Sequence, residues 1–168
     1  MGGYIAFEIM RQAPERVTKL ALLDTLATAD TPERSQGRRD LIALAEQYGL
    51  DRVMDKLLAL FIHANRLADA DLVATVRGMA RDTGLAAFKR QQMAIIGRPD
   101  SRPGLAQIRC PTLLLVGRQD ALTPVAAHAA MQAAIPASRL HVVEDCGHLS
   151  TLERPEAVTA ALLAWLRP

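Results

Sequence analysis

Three short apolar runs, separated by helical patterns, constrain the fold of this chain more than any other feature of its sequence. They lie at 17–24 (VTKLALLD), 111–116 (PTLLLV) and 139–143 (RLHVV). The first two are apolar at successive positions, which is typical of strands buried on both faces of a parallel sheet. Strands that alternate with helices are joined by right-handed crossovers. The sequence therefore predicts an α/β fold with a short parallel sheet of about three strands and flanking helices.

Helical patterns lie on either side of these runs. The first eleven residues (MGGYIAFEIMR) carry a broad apolar surface and predict a buried helix near two glycines. Thr123-Pro124 predicts the start of a helix after the second run, and Arg154-Pro155 predicts a final helix that runs to Leu166. These helices follow the strands along the chain in the order that a parallel sheet requires.

The region from 25 to 103 has a different pattern, with no strand-like alternation. Charged residues recur there at helical spacing among apolar ones, and glycines separate the segments. The predicted helical segments lie near 32–48, 51–63, 69–81 and 84–96. We expect a helical insertion at 25–103 within a core formed by 1–24 and 104–168.

Composition excludes several classes of protein. The chain has 168 residues, which suits one domain that buries roughly 70% of its unfolded surface. Its net charge is +2 and only 4% of its residues are aromatic, so we expect no nucleic-acid partner. No run reaches 18 apolar residues and no charged leader precedes an apolar stretch, so we expect neither a membrane span nor a signal peptide.

The two cysteines, Cys110 and Cys146, lie 36 positions apart, outside any CxxC pattern and without paired histidines at metal-ligand spacing. This usage favours reduced thiols and indicates no structural zinc. We therefore expect a cytoplasmic protein without a metal.

Asp120 and His148 are the strongest candidates for chemistry, because each follows a predicted strand. Functional groups of open parallel sheets gather beyond the carboxyl ends of the strands. We expect the two side chains to come within hydrogen-bonding reach, with the carboxylate fixing the imidazole tautomer. Two structural interpretations remain open: Asp120 as a helix N-cap, and His148 as a surface histidine.

The residues around this pair resemble the carboxy-terminal half of an α/β-hydrolase. GRQD at 117–120 is followed, 28 residues after its aspartate, by the histidine of GHLSTLERPE at 147–156. MGGYIAFEI, followed by APERVTKLALLD, resembles the segment directly after the nucleophile of that family's G-x-S-x-G elbow. The resemblance covers nearly the whole chain, and 25–103 matches the family's helical cap in position rather than in motif.

This resemblance implies a partial α/β-hydrolase fold and serine acyl-enzyme hydrolysis of carboxylic esters or lactones, without a cofactor. Asp120 matches the triad acid, His148 the general base, and Met1 the residue whose backbone N–H lines the oxyanion hole. The serine would fall one position before Met1, so no residue here matches it. Loss of the nucleophile costs on the order of 10⁶ in kcat, so we expect the chain alone to be nearly inert.

Two origins fit this boundary: a start assigned at an internal methionine, or a genuine half-protein. The alternative function is a non-catalytic half-domain or binding module with a vestigial Asp–His pair. Strand 17–24 would then present an open edge, and the first helix would lose part of its cover. We expect a homodimer or a complementing chain at this edge.

Other polar side chains receive structural interpretations. Cys146 lies two residues from His148, but adjacent turn residues usually point apart, so we expect a small side chain rather than a nucleophile. Neither Ser138 nor Ser150 sits on a strand-to-helix elbow, and a hydroxyl near a helix start is usually a cap. We expect Asp24 to cap the turn after the first strand, with a substrate-side role as its alternative.

The remaining histidines and three methionines are expected to be structural. Surface or partly buried roles are predicted for His63, His128 and His141. Methionines that fill gaps between helices are commoner than those that line a lipophilic acyl pocket. The methionines concerned are Met54, Met79 and Met93.

Overall fold

The structure is a computed structural model and describes residues 1–167. Ten helices and strands, together with three short 3₁₀ helices, make up the described chain. In chain order they are α1 (Gly2–Gln12), β1 (Leu20–Leu23), α2 (Pro32–Tyr48), α3 (Leu50–Phe61), α4 (Ala70–Ile96), β2 (Thr112–Gly117), α5 (Val125–Ala134), β3 (Ser138–Val143), α6 (Ser150–Glu153) and α7 (Pro155–Leu166). None of these helices is long and apolar enough to cross a membrane.

The three strands form one parallel sheet in the order β1-β2-β3. Leu22 of β1 pairs with Leu114 of β2, and Leu114 pairs with Leu140 of β3. All six residues of β2 are buried, because β2 is central and both of its faces are covered. The predicted α/β fold with three parallel strands is confirmed.

The outer strands differ from their predicted forms. Residues 14–16 form a 3₁₀ turn, so β1 begins at Leu20 rather than at Val17. Asp24 then adopts a φ of 46°, in the left-handed region, and ends the strand. In β3, Arg139 and His141 are exposed while the other side chains are at least partly covered, which explains the mixed character of this run.

Helices cover the sheet from two sides. Phe7 and Met10 of α1 lie on one face with Met131 of α5, where they pack against Leu22 and Leu114. The opposite face carries Leu113, Leu115 and Val143, covered by Val158 of α7. The N-terminal and C-terminal helices therefore cover opposite faces of the sheet.

Helices α2, α3 and α4 form a separate apolar cluster, centred on Met54, Ile62, Leu72 and Val76. Helix α4 is interrupted at Gly84, whose φ of 70° and ψ of 159° are not helical, at the break expected between its two segments. The expectation for the methionines is correct only for Met54, since Met79 and Met93 are 50% and 53% exposed. The division into a core and a cap at 25–103 stays a prediction.

Candidate active site

Three polar side chains meet at the carboxyl end of the sheet. Asp24 follows β1, Asp120 follows the end of β2, and His148 lies in the loop after β3. The parallel order of the strands places these three loops at one edge. Residues separated by more than 120 positions are thereby brought together.

Asp120 and His148 are in direct contact. The Nδ1 atom of His148 lies 2.9 Å from Oδ2 of Asp120. Oδ1 of Asp120 accepts hydrogen bonds from the backbone N–H groups of Leu122 and Thr123, both at 2.8 Å, and the Thr123 hydroxyl donates to Oδ2. Asp120 therefore stabilises the turn before α5 and contacts the imidazole, but it is not the N-cap of α5, because that position is Pro124 and has no side-chain cap bond.

The electrostatics of the pair favour an ionised Asp120. Burial alone would raise the pKa of Asp120, but the hydrogen bond and charge of His148, with the hydrogen bonds from Thr123, outweigh burial and lower it. An ionised carboxylate beside Nδ1 holds a proton on that nitrogen and leaves Nε2 as the basic atom. His148 is 22% exposed at its side chain, whereas that of Asp120 is fully buried. The arrangement can therefore accept a proton from the solvent side.

Two glycines allow the loop of His148 to reach this position. A Cβ at Gly117 would lie 2.0 Å from the carbonyl oxygen of Gly147, and a Cβ at Gly147 would lie 2.8 Å from the backbone nitrogen of His63. Both distances are far below van der Waals contact. The loop after β3 therefore lies against the end of β2 on one side and the end of α3 on the other.

Glu153, which the sequence analysis did not single out, fixes this loop. Its buried carboxylate accepts the N–H groups of Gly147 and Leu149 at Oε1, at 3.0 and 3.3 Å, and that of His63 at Oε2, at 2.7 Å. The backbone N–H of His148 donates to the carbonyl of Phe61 at 2.9 Å. The helical layer thus holds the backbone on both sides of the imidazole. The sequence feature that could have indicated this role of Glu153 is its position shortly after His148 and directly before the Arg154-Pro155 helix start.

Met1 and His148 border one cavity of about 280 Å³, together with Tyr4 and Asp24. A Cβ at Gly3 would lie 2.3 Å from the Thr25 hydroxyl oxygen, so the start of α1 lies directly on the loop after β1. The start of α1 and the loop after β1 therefore line the cavity that the imidazole borders.

Asp24 and Ser150 depart from their predicted capping roles. Asp24 accepts the N–H of Gly117 at Oδ1, at 3.2 Å, and the hydroxyl of Ser150 at Oδ2. Ser150 is fully buried, and α6 is capped by Leu149 without a side-chain bond. The hydrogen bond between Asp24 and Ser150 instead joins the end of β1 to the start of α6, across 126 positions of the chain.

The other candidates are not part of the site. Cys146 is fully buried, and burial followed by the charge of Glu153 raises its pKa to about 12, which keeps the thiol protonated. Ser138 donates to the carbonyl of Ile135 at 2.7 Å, at the start of β3. Within residues 1–167, no group of three or more His, Cys, Asp or Glu side chains is arranged to hold a metal ion.

The prediction for His128 is wrong, because this side chain is fully buried rather than partly exposed. Its Nε2 accepts the N–H of Thr25 at 3.3 Å, and burial lowers its pKa, so the ring is neutral. His141 is exposed, and Nδ1 of His63 accepts the N–H of Asn65 at 3.2 Å, as structural roles require. Sequence periodicity carried no signal for His128, since its cover comes from the loop after β1.

Comparisons with known proteins agree with this architecture. The sequence profile of the alpha/beta hydrolase fold matches residues 1–155. A 2-hydroxy-6-oxononadienedioate/2-hydroxy-6-oxononatrienedioate hydrolase of Klebsiella pneumoniae is 31% identical over 99% of this chain and 59% of its own length. The chain therefore spans about three fifths of that relative, and a hydrolase of the same name from Escherichia coli is also covered over 59% of its length.

Solved structures give the same result. A thermophilic esterase from Thermogutta terrifontis, solved with malate bound, has a TM-score of 0.93 and 32% identity over 99% of this chain and 61% of its own. The enol-lactonase from Burkholderia xenovorans has a TM-score of 0.88 at 24% identity, over 99% of this chain and 62% of its own, and shows the fold alone. Since the profile match extends over most of the sequence, this chain belongs to the α/β-hydrolase fold family.

Proposed function

We propose that this chain carries the acid–base machinery of a carboxylic ester or lactone hydrolase that works through a serine acyl-enzyme. His148 is the general base, Asp120 orients and stabilises its imidazolium, and the Met1 backbone N–H is one donor of the oxyanion hole. The observation that carries the proposal is the 2.9 Å contact between Nδ1 of His148 and Oδ2 of Asp120 at the strand tips. The name of one similar protein, the esterase from Thermogutta terrifontis at 32% identity, supports this substrate class.

In each step of the proposed reaction, His148 accepts or donates one proton. Nε2 of His148 takes the proton of a serine hydroxyl as its oxygen attacks the carbonyl carbon of the ester. The Met1 N–H donates to the oxyanion, and the imidazolium then protonates the leaving alkoxide as the ester bond breaks. His148 next deprotonates a water molecule whose oxygen attacks the acyl carbon. The imidazolium then returns that proton to the serine oxygen as the acyl–serine bond breaks, which releases the acid. Helices α2–α4 are proposed to form the cap over the acyl group.

The attacking serine is proposed to come from outside this sequence. Among residues 1–167, none of the hydrogen bonds involves Nε2 of His148, and Ser150, the serine nearest to it in sequence, donates to Asp24 instead. The chain alone is therefore expected to be nearly inert. Loss of a serine nucleophile removes on the order of 10⁶ of kcat in such enzymes.

A chimera tests the proposal. The part of the Thermogutta terrifontis esterase that this chain does not match is joined ahead of Met1, and hydrolysis of p-nitrophenyl esters is measured. We expect turnover in the chimera, a loss of about 10⁴-fold in kcat with Asp120→Asn, and a larger loss with His148→Ala. His141→Ala, at an exposed histidine of β3, is the matched control and should retain full activity.

The chain by itself forms the second arm of this test. Purified residues 1–168 and their His148→Ala variant should hydrolyse the esters at the same background rate. A chimera whose activity survives His148→Ala would show that the imidazole is not the base, whereas a folded chimera without turnover would favour a binding half-domain.

We further propose that a second polypeptide, either another copy or a complementing chain, covers the free edge of β1 and the outer face of α1. Among the described residues, no strand pairs with that edge of β1. Ile5 and Ile9 are 55% and 45% exposed beside a largely apolar groove of about 710 Å³ along α1. Exposed apolar surface next to an unpaired strand favours association.

Light scattering of the purified chain tests this association. We expect a dimer or larger species, and a shift toward monomer with Ile5→Lys and Ile9→Lys together. Leu60→Lys on α3 is the control, since Leu60 is also exposed but lies outside the α1 groove. A stable monomer of the unmodified chain would exclude self-association.

We also propose a cytoplasmic setting for this protein. Cys110 and Cys146 are both free thiols, which supports this proposal.

A further inference from the structure

Asp24 is a second carboxylate at the strand tips, and the proposed proton relay does not use it. Its φ of 46° is unusual for a residue other than glycine and carries a conformational cost. The surrounding contacts must offset that cost. Its carboxylate and His148 border the same cavity.

The hydrogen bonds of Asp24 join the segments that carry the other two site residues. Its Oδ1 accepts the N–H of Gly117, the last residue of β2, three positions before Asp120. Its Oδ2 accepts the hydroxyl of Ser150, two positions after His148. A single carboxylate therefore fixes the spacing between the loops after β2 and β3.

The charge of Asp24 also acts on this site. Burial raises the pKa of Asp24 to about 6, while the Ser150 hydrogen bond and the charge of His148 oppose that rise and the charge of Asp120 adds to it. The third titratable group that faces it, the Cys146 thiol, stays neutral because burial raises its pKa to about 12. Coulomb interactions are mutual, so an ionised Asp24 attracts the imidazolium that forms during proton transfer.

We propose that Asp24 is a positioning residue for His148, which holds the loop of the imidazole through Ser150 and, when ionised, stabilises the imidazolium together with Asp120. The catalytic part of this inference rests on the proposed hydrolase function. The coupling between Asp24 and His148 does not, because it is a property of the folded chain. Above the pKa of Asp24 the site holds two carboxylates beside the imidazole, and below it only Asp120 stays ionised.

Carbon-13 NMR of the Asp24 carboxyl in the purified chain measures the coupling directly. We expect a titration midpoint near pH 6 in the unmodified protein. In His148→Ala and in Ser150→Ala the midpoint should move upward, with the ionisation constant changed about two- to fivefold, as for partly solvated charge pairs. His141→Ala should leave the midpoint unchanged. His148→Gln repeats the test with a side chain closer in size to the imidazole.

An unchanged Asp24 midpoint in both His148 variants would overturn the inference. A second readout uses the chimera: the ratio of kcat/KM between unmodified protein and Asp24→Asn should rise about two- to fivefold from pH 5 to pH 8. A purely structural role gives the same ratio at every pH and would also overturn it. An inactive chimera would refute the proposed hydrolase function alone, because the NMR titration needs no turnover.

Discussion

Replacement of Glu153 should be among the most destabilising single changes in this protein. Its buried carboxylate accepts three backbone N–H groups, from His63, Gly147 and Leu149, and joins the end of α3 to the loop of His148. Glu153→Ala leaves the N–H groups of His63 and Gly147 unpaired, each at a cost of about 1–3 kcal/mol, whereas Leu149 keeps its hydrogen bond to the carbonyl of Phe61 at 3.1 Å. Relaxation and water entry reduce the sum, so we expect a loss of about 2–4 kcal/mol of unfolding free energy.

Urea unfolding, followed by Trp165 fluorescence and circular dichroism, measures this loss. With a typical m-value of about 2 kcal/mol/M, the midpoint should fall by about 1–2 M. Glu153→Gln keeps one acceptor oxygen for Gly147 and Leu149 but presents an amide to the N–H of His63, so about half of the loss is expected.

Glu144 supplies the matched control for this experiment. It pairs with Arg118 at 2.6 Å, and both side chains are largely exposed, so Glu144→Ala should leave the urea midpoint almost unchanged. Equal urea midpoints for Glu153→Ala and Glu144→Ala would refute the reasoning, because the buried hydrogen bonds of Glu153 would then contribute no more than a solvated ion pair.

Three further predictions follow from local packing and charge. Gly117→Ala should lower the melting temperature by several degrees, whereas Gly104→Ala, with open space at its Cβ, should not; equal melting temperatures would contradict the close approach at Gly117. Because burial raises the pKa of Asp24 from 3.8 to about 6, its contribution to stability is full below pH 4 and is lost as the pH rises through 6, by at most about 3 kcal/mol. Asp24→Asn removes this pH dependence, so the difference in urea unfolding free energy between the two proteins should change between pH 4 and 7; a constant difference would exclude the raised pKa. Cys146 should resist alkylation at pH 8 while the partly exposed Cys110 reacts, and mass spectrometry should find both modified in urea; rapid labelling of native Cys146 would contradict its burial.

Strand and helix positions follow from local patterns in the sequence. The run PTLLLV predicts β2 because a central parallel strand must be apolar on both faces, and the structure buries every residue of β2. Proline and glycine signals also act locally, which is why the break at Gly84 and the start of α7 at Pro155 were predicted. The edge strand β1 was predicted too long, since residues 17–19 lie between the turn at 14–16 and the sheet, and the left-handed φ of Asp24 ends the strand at Leu23.

The position of Asp120 and His148 could be inferred from sequence for the same reason. Each lies in the loop that follows a strand, and parallel strands end at one edge of the sheet. Buried polar side chains are different, because their partners lie far away along the chain. His128 meets the N–H of Thr25 across 103 positions, and Glu153 meets that of His63 across 90.

By itself, therefore, the sequence determined the order of strands and helices along the chain. It also identified Asp120 and His148 as side chains that lie beyond the ends of two strands. Only the tertiary structure decided that Asp24 accepts a hydrogen bond from Ser150, that Glu153 accepts backbone hydrogen bonds from the loop of His148, and that His128 is fully buried. The physical reason is that hydrophobic periodicity is a property of neighbouring residues. A buried hydrogen bond instead depends on which distant segments of the backbone are brought into contact by tertiary packing.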